Sequence, residues 1–146
     1  MNVNGAISVP HPPQRVTDAL HDPAVLQGVL PACTGVDCLG PGRFRAKVAR
    51  KVGLLTLRVA PDIVLVAAPD GTGLDMSVTA SSGIAGSFSA RIALTLLPEP
   101  SGTRLSWDGQ VVATGMAQRL LAERQDQLQA RVRGLFTTLK SALAGG

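Results

Sequence analysis

Residues 118–146 read QRLLAERQDQLQARVRGLFTTLKSALAGG, and this stretch decides the fold. Leu121, Leu128, Val132, Leu135, Leu139 and Ala142 recur at steps that sum to helical turns, placing them on one stripe of an α-helix. Arg119, Arg124, Arg131, Arg133 and Lys140 fall mainly off that stripe. The spacing predicts one amphipathic helix over Gln118–Gly146. Ahead of it lie about seven short runs with the two-residue alternation of strands. One long helix after consecutive strands predicts an α+β fold: a curved antiparallel sheet of about seven strands, crossed on its concave face by the C-terminal helix.

Working back from the helix, the inward rows are apolar. Leu105, Trp107, Val111 and Ala113 form the last; Phe88, Ala90, Ile92, Leu94 and Leu96 the one before; Leu74, Met76, Val78 and Ala80 the one before that. Asp70-Gly71 is a hairpin signal, Ser81–Gly86 a flexible turn with Ile84 at its tip, and Pro61-Asp62 a bulge or edge. Phe44, Ala46, Val48 and Val52 share one face of an earlier strand, with Leu55, Leu57 and Val59 continuing after Gly53. Residues 2–9 read as a first edge strand. Two short helices follow, one after Pro12-Pro13 and one capped by Asp22 with Pro23 at its first position.

A chain of 146 residues is one domain, 1–146, with enough length for a core. Apolar residues make up 45% but aromatics only 3%, so Val, Leu, Ile and Ala must build the interior. Small side chains fill a concave sheet without closing its centre, which predicts a hydrophobic cavity. The expected lining is Val25, Leu26, Val48, Leu57, Met76 and Val78, with Phe88, Ile92, Trp107, Gln125, Leu128 and Val132. Trp107 and Met76 are explained equally well by core packing. Gln125 interrupts the helix stripe and either bonds a ligand or is satisfied by backbone or water. Arg50 shares parity with Phe44 and Val48 and is the candidate ligand anchor; its alternative is a strand-end side chain reaching solvent.

The net charge is +4, and its placement matters more than its size. Arg43, Arg45, Lys47, Arg50, Lys51 and Arg58 fall within 16 residues that contain no acid. Such a strip faces anionic lipid or an acidic partner, or is a solvated outer strand face. Nucleic acid is not expected, because stacking aromatics are almost absent. Cys33 and Cys38 lack the spacing and the second pair of a zinc site, so no metal is expected and both read as free thiols. No basic-then-apolar leader and no 18-residue apolar run is present. The expected location is cytoplasmic, peripheral to the membrane at most.

Val16-Thr17-Asp18-Ala19-Leu20, then Asp22-Pro23-Ala24-Val25-Leu26 and Leu30-Pro31-Ala32-Cys33, carry a family pattern. Lys51-Val52-Gly53, the glycine loop at Gly83–Gly86 and Leu135-Phe136-Thr137-Thr138-Leu139 extend it. On these residues the chain resembles the CoxG family, the G subunits of carbon monoxide dehydrogenase, within the START-like (SRPBCC, helix-grip) superfamily of polyketide cyclases and lipid-transport proteins. The resemblance implies a sheet gripping the terminal helix around an apolar cavity. It also implies an accessory role beside a carbon monoxide dehydrogenase, linking it to the membrane and its quinones. Thr17 stands where many members carry an aromatic residue.

Placed acids, bases and nucleophiles are nearly missing from the inward rows, and His11, Asp18 and His21 lie near helix ends at the surface. The reading is therefore a non-catalytic carrier of an apolar small molecule, lipid or quinone-like, with no cofactor and no catalytic residue. The alternatives are a polyketide cyclase-like enzyme and a protein adaptor acting through the basic strip.

Overall fold

A computed structural model describes residues 1–52, 54–68, 72–82, 86–123 and 125–144. The side chains of Arg50, Val52, Leu55, Leu57, Ser82, Leu120, Leu121, Gln125 and Asp126 lie outside that description, as does the expected Asp70-Gly71 turn. The elements are β1 (Asn2–Val9), α1 (Pro13–Leu20), α2 (Pro23–Val29), β2 (Cys33–Gly40), β3 (Arg43–Val52) and β4 (Leu55–Val59). There follow β5 (Asp62–Ala67), β6 (Gly73–Ser82), β7 (Gly86–Glu99), β8 (Gly102–Thr114), α3 (Met116–Glu123) and α4 (Gln125–Ala144).

The strands pair antiparallel in the order β1-β8-β7-β6-β5-β3-β2, with β4 off this path and paired to β3. The sheet thus has seven strands in line and an eighth on a side hairpin. Consecutive strands separated by short turns pair with their neighbours, and that yields the meander from β5 to β8. Pro61 is where β3 changes partner. Below it β3 pairs with β5, above it with β4, and the Ala46 amide donates to the Pro61 carbonyl at 3.0 Å.

The two short helices join the two edges of the sheet. Asp22 caps α2, its carboxylate accepting from the Ala24 amide at 2.9 Å, and Pro23 fills the first turn where no amide is needed. Val16, Ala19 and Leu20 of α1 are buried. The buried Thr103 hydroxyl donates to the His11 carbonyl at 2.6 Å and ties the start of α1 to β8. Arg15 of α1 donates to the Leu143 carbonyl at 3.2 Å, satisfying one acceptor of the last turn of α4.

The terminal helix is assigned as α3 and α4, with Arg124 between them outside the described residues. The expected stripe needs correction. Val132 and Leu139 are buried, but Leu135 is half-buried and Ala142 exposed; Phe136 and Leu143 complete the buried face instead. Over 20 residues a helix drifts against any fixed seven-residue pattern, so the packed row moves one position along. Phe136 stacks on Trp107 with ring centroids 4.4 Å apart and planes at 22°.

Helix α4 also covers the raw edge of β1. The Asn4 amide donates to Gln129 Oε1 at 3.0 Å, and Arg133 Nη1 donates to the Ala6 carbonyl at 3.3 Å. Four residues of helix rise about 6 Å and two of strand about 6.7 Å, so one helix turn keeps step with every second edge group. Arg133 also sits 5.6 Å from the centre of the Trp107 ring, within range of a cation–π contact. We expect Gln129→Ala with Arg133→Ala to cost about 1–3 kcal/mol in urea unfolding and to promote edge-to-edge self-association. A size-exclusion profile identical to wild type would argue against the edge-covering role.

Candidate functional site

The concave face changes character along the strands. At one end α1 lies over the sheet, and Leu65, Leu74, Leu94, Leu96 and Leu105 are buried. At the other end Val78, Ala80, Phe88 and Ala113 are only half-buried. The register places these together: Phe88 faces Ala80 on β6 and Ala113 on β8, and Val78 is two residues along from Ala80. Leu128, near the start of α4, is half-buried too and packs against the core. Apolar side chains on a concave face that keep partial exposure form the part of the interior closest to solvent.

The expected lining residues divide along this axis. Val78 and Phe88 fall at the half-buried end, Met76, also half-buried, lies opposite Ile92 on β7, and Val48 on β3 and Leu128 on α4 are half-buried. Leu26, Ile92, Trp107 and Val132 are buried in the core cluster. Val25 faces a groove of about 570 Å³ between α1, α2 and the end of α4, beside Arg15, Asp18 and Leu143. Arg50 and Leu57 are cross-strand partners in the β3–β4 ladder, and Gln125 opens α4; their side chains lie outside the described residues, as does the Ile84 loop.

Trp107 is the polar exception in the core. Its indole nitrogen is the one buried side-chain donor without a partner among the described residues. The ring lies across Gly5, where an added Cβ would stand 2.3 Å from Trp107 Cζ2. With Phe136 stacked on the ring it cannot retreat, so Gly5→Ala should destabilise by about 1–3 kcal/mol. Chemical denaturation checks this, and no change in midpoint would mean the indole can shift. Sequence reasoning missed Gly5 because an isolated glycine in a strand marks close approach only once its neighbour is known.

Charge stays outside. Among the described residues no Asp, Glu, His, Lys or Arg is buried, and no three His, Cys, Asp or Glu side chains gather as a metal site would require. Cys33 and Cys38 are free thiols whose sulfurs donate to the carbonyls of Gly35 and Gly40. On the outer face Arg45 pairs with Asp62 at 2.8 Å and Lys47 with Asp37 at 3.5 Å. The Asp62 hydrogen bond, then its charge, raises the Arg45 pKa above its ordinary value. Two further open depressions lie on β strands. One of about 540 Å³ is bordered by Asp75, Arg91 and Asp108, and one of about 450 Å³ by Thr34, Lys47, Val48 and Arg58. No helix among the described residues is long and apolar enough to cross a membrane.

The family model for the G subunit of carbon monoxide dehydrogenase (CoxG) matches residues 5–144. No curated protein matches the sequence. A conserved protein from Geobacillus kaustophilus superposes with a TM-score of 0.79 at 19% identity, covering 99% of this chain and 96% of that one. Ara h 8.0201 superposes at 0.66 with 17% identity, over 100% and 99%. The di-domain ARO/CYC BexL from the BE-7585A biosynthetic pathway superposes at 0.60 with 16% identity, over 97% of this chain and 49% of its own. At these identities the likeness is one of fold, the helix-grip fold.

Proposed function

The chain belongs to the CoxG family of carbon monoxide dehydrogenase proteins, within the helix-grip superfamily, and from that premise we propose that it is a non-catalytic carrier of an apolar small molecule. The observation that supports this most is the half-buried apolar row Val78, Ala80, Phe88 and Ala113, joined in register across β6, β7 and β8 on the concave face. Apolar contact at about 25 cal/mol per Å² gives useful affinity without any charged group. Catalysis of the cyclase kind needs ionisable groups converging on the ligand, and no ionisable side chain among the described residues is buried. By family, the cargo serves a carbon monoxide dehydrogenase-like system as its accessory.

Native mass spectrometry of the purified protein, with solvent extraction and lipid analysis, tests the proposal. A copurified apolar molecule, exchangeable for an added quinone, is the expected result. Protein that is empty and takes up neither quinone nor fatty acyl probe would remove the carrier reading.

A further inference from the structure

The sheet has two edges, and they are finished differently. Along β1, Gln129 and Arg133 of α4 bond the Asn4 amide and the Ala6 carbonyl. Strand β2 closes the other end and has β3 as its only strand partner. The backbone parity of β3 fixes which groups of β2 stay free. The Gly42 carbonyl accepts from the Leu65 amide and the Ala46 amide donates to the Pro61 carbonyl, so Gly42, Phe44 and Ala46 point away from β2. Arg45 and Lys47 therefore make the ladder bonds to Asp37 and Gly35. The amides and carbonyls of Val36 and Cys38 point outward, and no hydrogen bond meets them among the described residues. The bond from α2 to this edge, Gln27 Nε2 to the Thr34 carbonyl at 3.4 Å, lies short of the open stretch. No proline interrupts Cys33–Gly40, and Leu39 beside the open stretch is 53% exposed.

We propose that β2 pairs antiparallel with β2 of a second copy of this chain, about a two-fold axis at Val36. Outward groups must meet outward groups, which leaves axes at Val36, Asp37 or Cys38. An axis at Asp37 sets two carboxylates directly opposite each other, which opposes pairing. An axis at Cys38 puts the irregularity between Cys38 and Gly40 next to the centre. With the axis at Val36, its amide and carbonyl exchange bonds with the same groups of the second copy, and each Asp37 lies opposite Gly35 of the other. Glycine leaves the outer face open there, and Lys47 already extends over it. A Cβ on Gly35 would stand 4.0 Å from Lys47 Cδ, and Lys47 Nζ is 3.5 Å from the Asp37 carboxylate. The lysine of one copy thus points at the carboxylate of the other, and the symmetry makes that contact twice. This match of the edge to its own sequence commits it to a second copy rather than to an unrelated strand. The ladder is short, so the dimer is weak and concentration-dependent. It stands independently of the carrier reading.

Sedimentation equilibrium of the full chain from about 1 µM to about 1 mM tests the pairing, with reductant present so that Cys38 cannot cross-link. Wild type should pass from monomer to dimer and no further, and amide exchange at Val36 and Cys38 should slow at the high end. Val36→Pro removes the central amide, which has no partner within the chain, and should stay monomeric. Lys47→Glu should weaken association about tenfold. Asp37→Lys with Lys47→Asp should restore it. Lys51→Glu makes the same charge change at an exposed position away from the seam and should leave association unchanged. Superposable thermal melts verify folding, and the charge variants carry the test should Val36→Pro unfold. Monomer at the highest concentration, or a dimer insensitive to the substitutions at Val36 and Lys47, would overturn the proposal. So would growth beyond the dimer, the result of a head-to-tail contact.

Discussion

Val132→Asp is expected to cost about 4 kcal/mol or more at neutral pH and to drop the melting point far below that of the wild type. Val132 is 7% exposed on the buried face of α4, with Phe136, Leu139 and Leu143 along the same row. Losing its burial costs about 1.5–3 kcal/mol. Placing a carboxylate there without a partner adds at least a similar amount, and the group takes up a proton to escape the charge. A total of about 4 kcal/mol or more consumes much of the stability of an ordinary domain. The pH dependence has a definite sign. Burial raises the folded-state pKa of the new carboxyl above its unfolded value of about 3.9. The variant is therefore least destabilised below that value, and loses stability as pH rises through the raised one. Circular dichroism melts at acid and neutral pH check both statements. A melting point near wild type at neutral pH would mean that α4 is not docked through this row.

Leu128→Arg should have the opposite profile: a folded protein that no longer holds an apolar ligand. Leu128 is half-buried near the start of α4, so an arginine can lay its methylenes along the surface and carry its guanidinium to water. Cargo resting against Leu128 would then lose an apolar wall and gain a charge to desolvate. A loss of about 2–4 kcal/mol, roughly 30- to 1,000-fold in affinity, follows from the burial and charge terms together. Fluorescent fatty acyl displacement measures it, with the melt as control. Unchanged affinity would place the ligand away from α4.

Much of the architecture could be read from the chain because period and punctuation are local signals. The first strand is Asn2–Val9 as its alternation indicated, Asp22-Pro23 opens α2, and Trp107, Leu94 and Leu74 face inward as parity required. What alternation cannot report is depth. It assigns Leu94 and Phe88 to one face, but Leu94 is buried while Phe88 is half-buried, a difference set by what covers each end of that face. Helical phase was the other weak point. Phe136 and Leu143 sit one residue beyond the expected stripe positions, and a change of one residue turns a helix by about 100°. Neither Gln129 nor Arg133 carries a contact signal in the sequence, because their partners, the Asn4 amide and Ala6 carbonyl, belong to backbone more than 120 residues away. For the candidate site, the sequence located apolar character but not which apolar residues would meet solvent.

The bonding of α4 to β1 would bear on how a carrier built this way exchanges its cargo. Were the rod to lift away, the naked margin of the ribbon would invite a second chain to add on, and Phe136 would leave the indole it rests on. Such a route would trade delivery for polymerisation. Loading and release of any cargo would thus have to come without lifting the rod, which stays in place like a shut clasp.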